Sequence, residues 1–181
     1  VNDHAALAAA GADFIARTGG ADVVIANAGV SFGTLTGRDG DVAVIERILQ
    51  TNVVATAATF APFIAPMKAQ AAAGARDLRL VGIASVAGIR GLPGAEAYSA
   101  SKAAVISYCE SLRVELRSQG IRVVTIAPGY IDTPMTRVNT YRMPFLMPAA
   151  RFARSAVRTS SARDRLRSVP VTECPASKIG R

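Results

Sequence analysis

The stretch "LRLVGIAS" (Leu78–Ser85) is a short apolar run that does not alternate with polar residues. An antiparallel strand with one wet face alternates, whereas a strand covered by helices on both faces does not. Two other runs read the same way, "DVVIA" (Asp22–Ala26) and "IRVVTIAPG" (Ile121–Gly129). Helical stretches lie around them. The first runs from about His4 to Arg17. The second spans about Asp41 to Ala73, where Pro62 and Pro66 are expected to kink or break it. The third covers about Glu96 to Ser118, and there Val105, Cys109, Leu112 and Leu116 recur at helical spacing, which makes Cys109 a packing residue. Strict alternation of helix and strand predicts an α/β doubly wound parallel sheet.

A chain of 181 residues supports one domain with a real core. Half of the residues are hydrophobic and 19% are charged, which excludes a disordered chain. The uncharged run Ile48–Met67 has the length of a membrane span, but Gln50, Asn52, several threonines and two prolines make it a buried helix instead. Two cysteines, Cys109 and Cys174, suggest no disulfide framework, so a reducing cytoplasm is the expected location, with peripheral membrane contact open. The formal charge of +8 lies entirely in residues 137–181, with ten basic and two acidic groups; residues 1–136 hold eleven of each. We therefore divide the chain into a neutral domain, residues 1–150, and a basic C-terminal helix or tail, residues 151–181. A basic tail on a neutral domain is weak support for nucleic-acid binding. No His, Cys and carboxylate cluster has metal-ligand spacing, so no metal is expected.

The strands end in the loops "NAGVSFGTLTG", "VAGIRGLPGAE" and "GYIDTPMT", and in open α/β sheets ligands bind at those ends. Near them "AYSASKAAVISY" (Ala97–Tyr108) sets Tyr98 and Lys102 one helical turn apart. A free tyrosine titrates near pH 10, and about 4 kcal/mol is needed to bring it near 7. A lysine ammonium about 4 Å away supplies about that much at an effective dielectric near 20. The plainer reading has Tyr98 capping the core and Lys102 solvated. Ser85 ends a buried strand and either donates a hydrogen bond to a substrate carbonyl oxygen or satisfies its own turn. Asn27 precedes Ala28-Gly29, a turn that needs a small residue beside a ligand. Asn52 lies among apolar residues, where a buried amide requires partners. Pro128-Gly129 ends the third strand in a fixed bend.

"ANAG", "SVAG", "YSASK" and "APGYIDTP" occur in that order and at a spacing that resembles the short-chain dehydrogenase/reductase family over about residues 1–150. The resemblance implies a Rossmann-type fold and hydride transfer between NAD or NADP and a small-molecule alcohol or ketone. It implies Tyr98 as acid-base, with Lys102 depressing its pKa and holding the cofactor ribose. Ser85 would orient the carbonyl, and Asn52 would hold a relay water. Asn27, Ala28 and Gly29 would line the adenosine side, while Pro128, Gly129, Ile131 and Thr133 would meet the nicotinamide. Arg137–Ala150 corresponds to the family's lid, and its methionines and aromatics favour an apolar substrate. A homo-oligomer, dimer or tetramer, through the helices after Asp41 and Glu96 is implied in the same way.

The sequence also departs from that family. No GxxxGxG occurs in the 26 residues before Asn27, and Gly29, Gly33 and Gly37 follow the wrong strand. On this reading about sixty residues are missing before "VNDHAAL", among them the family's central strand and its choice between NAD and NADP. Burying that strand contributes on the order of 10 kcal/mol, comparable to a whole domain's stability of about 5–15 kcal/mol. A marginal chain with an open sheet edge is the expectation. "VTECPASKIGR" has no apolar run for a last strand, so an altered reading frame or a natural tail is expected there. Two other readings compete: a non-catalytic remnant of the family, and a basic-tailed binder of nucleic acid or acidic membrane.

Overall fold

In the computed structural model, which describes residues 1–161, the three apolar runs form one parallel sheet. Its strands are β1 (Val23–Ala26), β2 (Leu78–Ile83) and β3 (Ile121–Ile126), in the order β1-β2-β3. Ile25 pairs with Val81, and Val81 with Val124, so one row of side chains crosses the whole sheet. Both crossovers step in the same direction along the sheet. A shared crossover hand therefore puts their helices on the same face.

That face carries the main core. Helix α1 (His4–Thr18) starts at Asp3, whose carboxylate accepts from the Ala6 N–H at 2.9 Å. Helices α2 (Asp41–Leu49) and α3 (Ala55–Ala72) make the first crossover, and α4 (Glu96–Arg117) makes the second. Val24, Leu80 and Val123 of the sheet meet Phe60, Met67, Val105, Cys109, Leu112 and Leu116 there. Each such burial contributes roughly 2 kcal/mol. The stripe read at helical spacing on α4 is the one that is buried.

Two expectations change. The break expected at Pro62 and Pro66 does not occur: α3 runs through both. Tertiary packing holds it, with Phe14 of α1 meeting Phe63 edge-on at 6.2 Å between ring centres. The irregularity lies earlier, in the π-turn Gln50–Val54 that separates α2 from α3 and carries Asn52. The continuous Asp41–Ala72 helix is long and apolar enough to cross a bilayer, yet Ile48, Phe60 and Met67 are fully buried within this fold.

The second correction concerns β1, which was expected to be covered on both faces. On the opposite side of the sheet, α6 (Ala149–Ser161) lays Phe152 and Ala156 over Val81 and Ile126. Among the described residues it reaches only β2 and β3 of this sheet. Among the described residues nothing covers the outer face of β1, where Val23 is 40% and Ile25 51% exposed. α6 also begins at Ala149, so it spans the boundary read at residue 150. Between β3 and α6, a short parallel pair of β4 (Ile131–Asp132) and β5 (Met147–Pro148) flanks α5 (Pro134–Arg137). This pair ties the 133–146 segment to the strand ends, where Phe145 takes a left-handed φ of 60°. The last twenty residues, including Cys174 and "VTECPASKIGR", lie outside the described part.

Candidate active site

Just past β2 the chain turns tightly, and that turn builds the site. Ser85 caps the 3₁₀ turn Val86–Gly88, its Oγ accepting from the Ala87 N–H at 3.1 Å. Gly88 permits the turn to sit directly on α4: a Cβ there would lie 2.6 Å from the Lys102 carbonyl carbon and 2.7 Å from the Ala103 nitrogen. The turn that carries Ser85 is thereby seated on the helix that carries Tyr98 and Lys102. Ser85 lies close enough to the Tyr98 hydroxyl for its side chain to act on it. Ser85 Oγ also lies 3.5 Å from the Pro128 carbonyl oxygen, which accepts from the Val86 N–H at 3.0 Å. The serine therefore serves its turn and faces the tyrosine at once.

Lys102 is 5% exposed, and its Nζ donates to the Ile83 carbonyl at 2.9 Å. The ammonium lies 5.8 Å from the centre of the Tyr98 ring, against its face. Gly29 approaches from the end of β1. A Cβ on it would stand 3.3 Å from Lys102 Nζ and 3.4 Å from Asn52 Oδ1. Asn52 is fully buried and well satisfied: Oδ1 accepts from the Val30 N–H at 2.8 Å. Its Nδ2 donates to the Val30 carbonyl at 2.9 Å and to Ser101 Oγ at 2.9 Å. Ser101 in turn donates to the Tyr98 carbonyl at 2.7 Å. One network thus joins the β1 loop, the π-turn and the first turn of α4.

Electrostatically, the pair differs from the expectation read from its spacing. Burial pushes the Tyr98 hydroxyl above its usual pKa, the Ser85 hydrogen bond acts against this, and nearby Tyr141 adds to the rise. Burial also lowers Lys102 to about 8. In both groups desolvation favours the neutral form. The Lys102 ammonium is bonded to the Ile83 carbonyl beside the ring face, and burial is the largest influence on both groups.

Ser85 and Tyr98 open onto a cavity of about 1210 Å³, together with Pro128, Gly129 and Ile131. Its far wall comes from the 133–146 segment and the start of α6, including Tyr141, Phe145, Leu146, Met147 and Phe152. Tyr141 meets Tyr130 edge-on at 6.2 Å. Asn27 and Ala28 follow β1 and are exposed. Thr133 caps α5 and faces Thr136, its Oγ1 3.4 Å from that of Thr136, so it stands apart from the cluster. Ser85, Tyr98, Lys102, Asn52 and Gly29 are brought together; Thr133 is not. Sequence reasoning missed Ser101, although a serine one turn beyond a tyrosine within a helix was a visible signal. It also missed the Ile83 carbonyl, for which no side-chain signal exists.

A parallel sheet with helices packed on it and polar side chains gathered at its strand ends defines a Rossmann-like α/β protein. The chain belongs to the short chain dehydrogenase family, whose profile matches residues 1–143. It is 44% identical over 132 residues, 73% of its length, to an uncharacterized oxidoreductase of Myxococcus xanthus, of which it covers 50%. Over 135 residues, 75% of its length, it is 35% identical to a 2-dehydro-3-deoxy-L-rhamnonate dehydrogenase (NAD(+)) of a Sphingomonas species, covering 52% of that protein. Among solved structures it resembles the Pseudomonas aeruginosa RhlG/NADP active-site complex, with 29% identity and a TM-score of 0.69 over 75% of this chain and 53% of the other. The chain spans about half the length of the curated relatives it matches.

Proposed function

We propose that this chain carries the catalytic centre of an NAD- or NADP-dependent oxidoreductase that interconverts an alcohol and a carbonyl compound. The observation that carries this reading is Tyr98 and Ser85 side by side on a largely apolar cavity, with the Lys102 ammonium buried against the tyrosine ring. A related structure holds NADP, and a relative is named for NAD(+).

The residues fit the ribose and nicotinamide end of such a cofactor. An ammonium has three donors, and among the described residues one of them goes to the Ile83 carbonyl. The other two suit ribose hydroxyls. Gly29 leaves room for backbone contact where a side chain would press on Lys102 and Asn52. Asn27 and Ala28 would extend that wall, and Pro128, Gly129 and Ile131 would border the nicotinamide. Bound there, the nicotinamide supplies or accepts the hydride.

The protein's own part is proton handling and orientation. Tyr98 holds a proton at neutral pH and can give it to a carbonyl oxygen in its reach. Ser85 can donate to the same oxygen as negative charge grows on it, a contact that strengthens toward the transition state. Asn52 holds the Val30 loop and, through Ser101, the first turn of α4, so it fixes the height of Tyr98 over the cavity.

Steady-state assays with NADH and NADPH against a panel of apolar ketones test this reading. Tyr98→Phe should lower turnover about 10²–10⁴-fold, the usual worth of a general acid, with cofactor affinity nearly unchanged. Lys102→Ala should weaken both. Equal turnover in Tyr98→Phe and the parent would overturn the assignment.

A further inference from the structure

The cavity that holds Tyr98 and Ser85 is lined mainly by apolar side chains, and its charged residues are two arginines, Arg90 and Arg151. Among the described residues no aspartate or glutamate lines it. Arg90 comes from the loop between the Ser85 turn and α4, and Arg151 from the first turn of α6. They therefore approach the cavity from two separate elements. Other arginines near carboxylates are paired: Arg17 with Asp13, Arg79 and Arg122 with Asp77, and Arg137 with Asp132. The side chains of Arg90 and Arg151, both exposed residues, have no hydrogen bond or ion pair with any described residue.

Two unpaired guanidinium groups on an apolar cavity suit one class of ligand. A neutral hydrocarbon uses the walls but gives the arginines nothing. A small anion uses the arginines but leaves the walls wet. A molecule with an apolar skeleton and one oxyanion satisfies both, because a guanidinium binds a carboxylate or phosphate through two parallel N–H donors. The volume, about 1210 Å³, exceeds that of a typical small-ligand site of about 300–1,000 Å³, so both parts fit together.

We propose that Arg90 and Arg151 form an anion subsite and that the substrate is an apolar alcohol or ketone bearing a carboxylate or phosphate group. This rests on the oxidoreductase reading for the reacting end of the molecule, but not for the anion end. The arginines fix the charged end, the Phe145–Met147 wall takes the skeleton, and the carbonyl lies toward Ser85 and Tyr98. They are specificity residues and take no part in proton transfer.

Isothermal titration of the full chain with octanoate, octyl phosphate and 1-octanol tests the subsite without any turnover. At low salt at least one of the two anions should bind about tenfold tighter than 1-octanol, as expected for charge-assisted hydrogen bonds at solvent-accessible groups. Whichever anion is preferred identifies the oxyanion. The preference should shrink as sodium chloride rises toward about 0.5 M. The double variant Arg90→Met, Arg151→Met should bind both anions as weakly as 1-octanol, with 1-octanol affinity kept within about twofold. If the double variant also loses 1-octanol, Arg90→Met and Arg151→Met are compared singly, each expected to lose about threefold of the anion preference. Equal binding of all three probes by the parent, or a preference that survives both substitutions, would overturn the proposal. Preference without turnover would leave the subsite standing and remove the oxidoreductase reading. Turnover without preference would do the reverse.

Discussion

Replacing Lys102 by methionine should change how the stability of this protein depends on pH. The ammonium is almost wholly buried, and burial lowers its pKa from 10.5 to about 8. Below about pH 8 the lysine is charged in both folded and unfolded chains, so the folded state carries the full cost of desolvating it. Between about 8 and 10.5 the unfolded chain holds a proton that the folded chain has released, and stability rises with pH through that window. At about 1.4 kcal/mol per pKa unit, the cost is about 3 kcal/mol at pH 7 and falls to about 1 kcal/mol at pH 10.

Methionine has a similar length and no charge to desolvate. It loses the hydrogen bond to the Ile83 carbonyl and the contact with the Tyr98 ring, which offsets about 1–3 kcal/mol. That offset is nearly constant with pH, whereas the desolvation cost is not. The stability difference between variant and parent should therefore move toward the parent by about 2 kcal/mol from pH 7 to pH 10. Urea unfolding followed by circular dichroism at four pH values across that range measures it. A difference that stays flat, or that favours methionine more as pH rises, would refute the claim that Lys102 is a buried, strained cation.

Three further outcomes are expected. Gly88→Ala forces a Cβ onto the α4 backbone and should destabilise by about 1–3 kcal/mol in thermal or urea unfolding; a parent-like variant would mean the Ser85 turn is not seated on α4. Leu80→Ala, in the fully buried row, should lose about 2–5 kcal/mol, whereas Ile25→Ala on the half-exposed edge should lose less than about 1 kcal/mol; equal losses would mean the outer face of β1 is covered in solution. The difference in absorbance at 295 nm between the parent and Tyr98→Phe should show Tyr98 ionising above about pH 10, and a midpoint below about 9 would contradict the burial of its hydroxyl.

The parts of this fold legible in the sequence are those set by short-range pattern. The three apolar runs became the three strands, and the Val105–Cys109–Leu112–Leu116 spacing became the buried stripe of α4. What pattern could not carry was the identity of each neighbour. β1 is as apolar as β2, yet Val23 and Ile25 are exposed because the described part of α6 lies over β2 and β3, and nothing within "DVVIA" encodes which strands a later helix covers. Proline is locally a helix breaker, but in α3 the packing against α1 outweighs the local rule. The two-residue strands β4 and β5 are too short to leave a periodic trace. At the site, motif order singled out Ser85, Tyr98, Lys102 and Asn52, which the fold brings together, whereas nothing marked Arg90 and Arg151, because an isolated arginine looks like any other solvated charge.

The tyrosine–lysine pair shows the same limit in energetic form. Four residues of helix place two side chains on one face, but they do not say where a long flexible side chain puts its charge. Coulomb attraction at about 4 Å is worth about 4 kcal/mol at an effective dielectric near 20, and it falls with distance. Here the ammonium lies over the ring and is bonded to a backbone carbonyl, and burial is the largest influence on both groups. Desolvation wins, and it moves the two groups in opposite directions on the pH scale, Tyr98 upward and Lys102 downward. A tyrosine with a raised pKa keeps its proton throughout the neutral range and is set to donate rather than to accept. Ser85, beside it and open to the same cavity, adds a second donor toward whatever oxygen lies there. In the proposed reaction, run from carbonyl to alcohol, Tyr98 and Ser85 would be the two donors to the carbonyl oxygen.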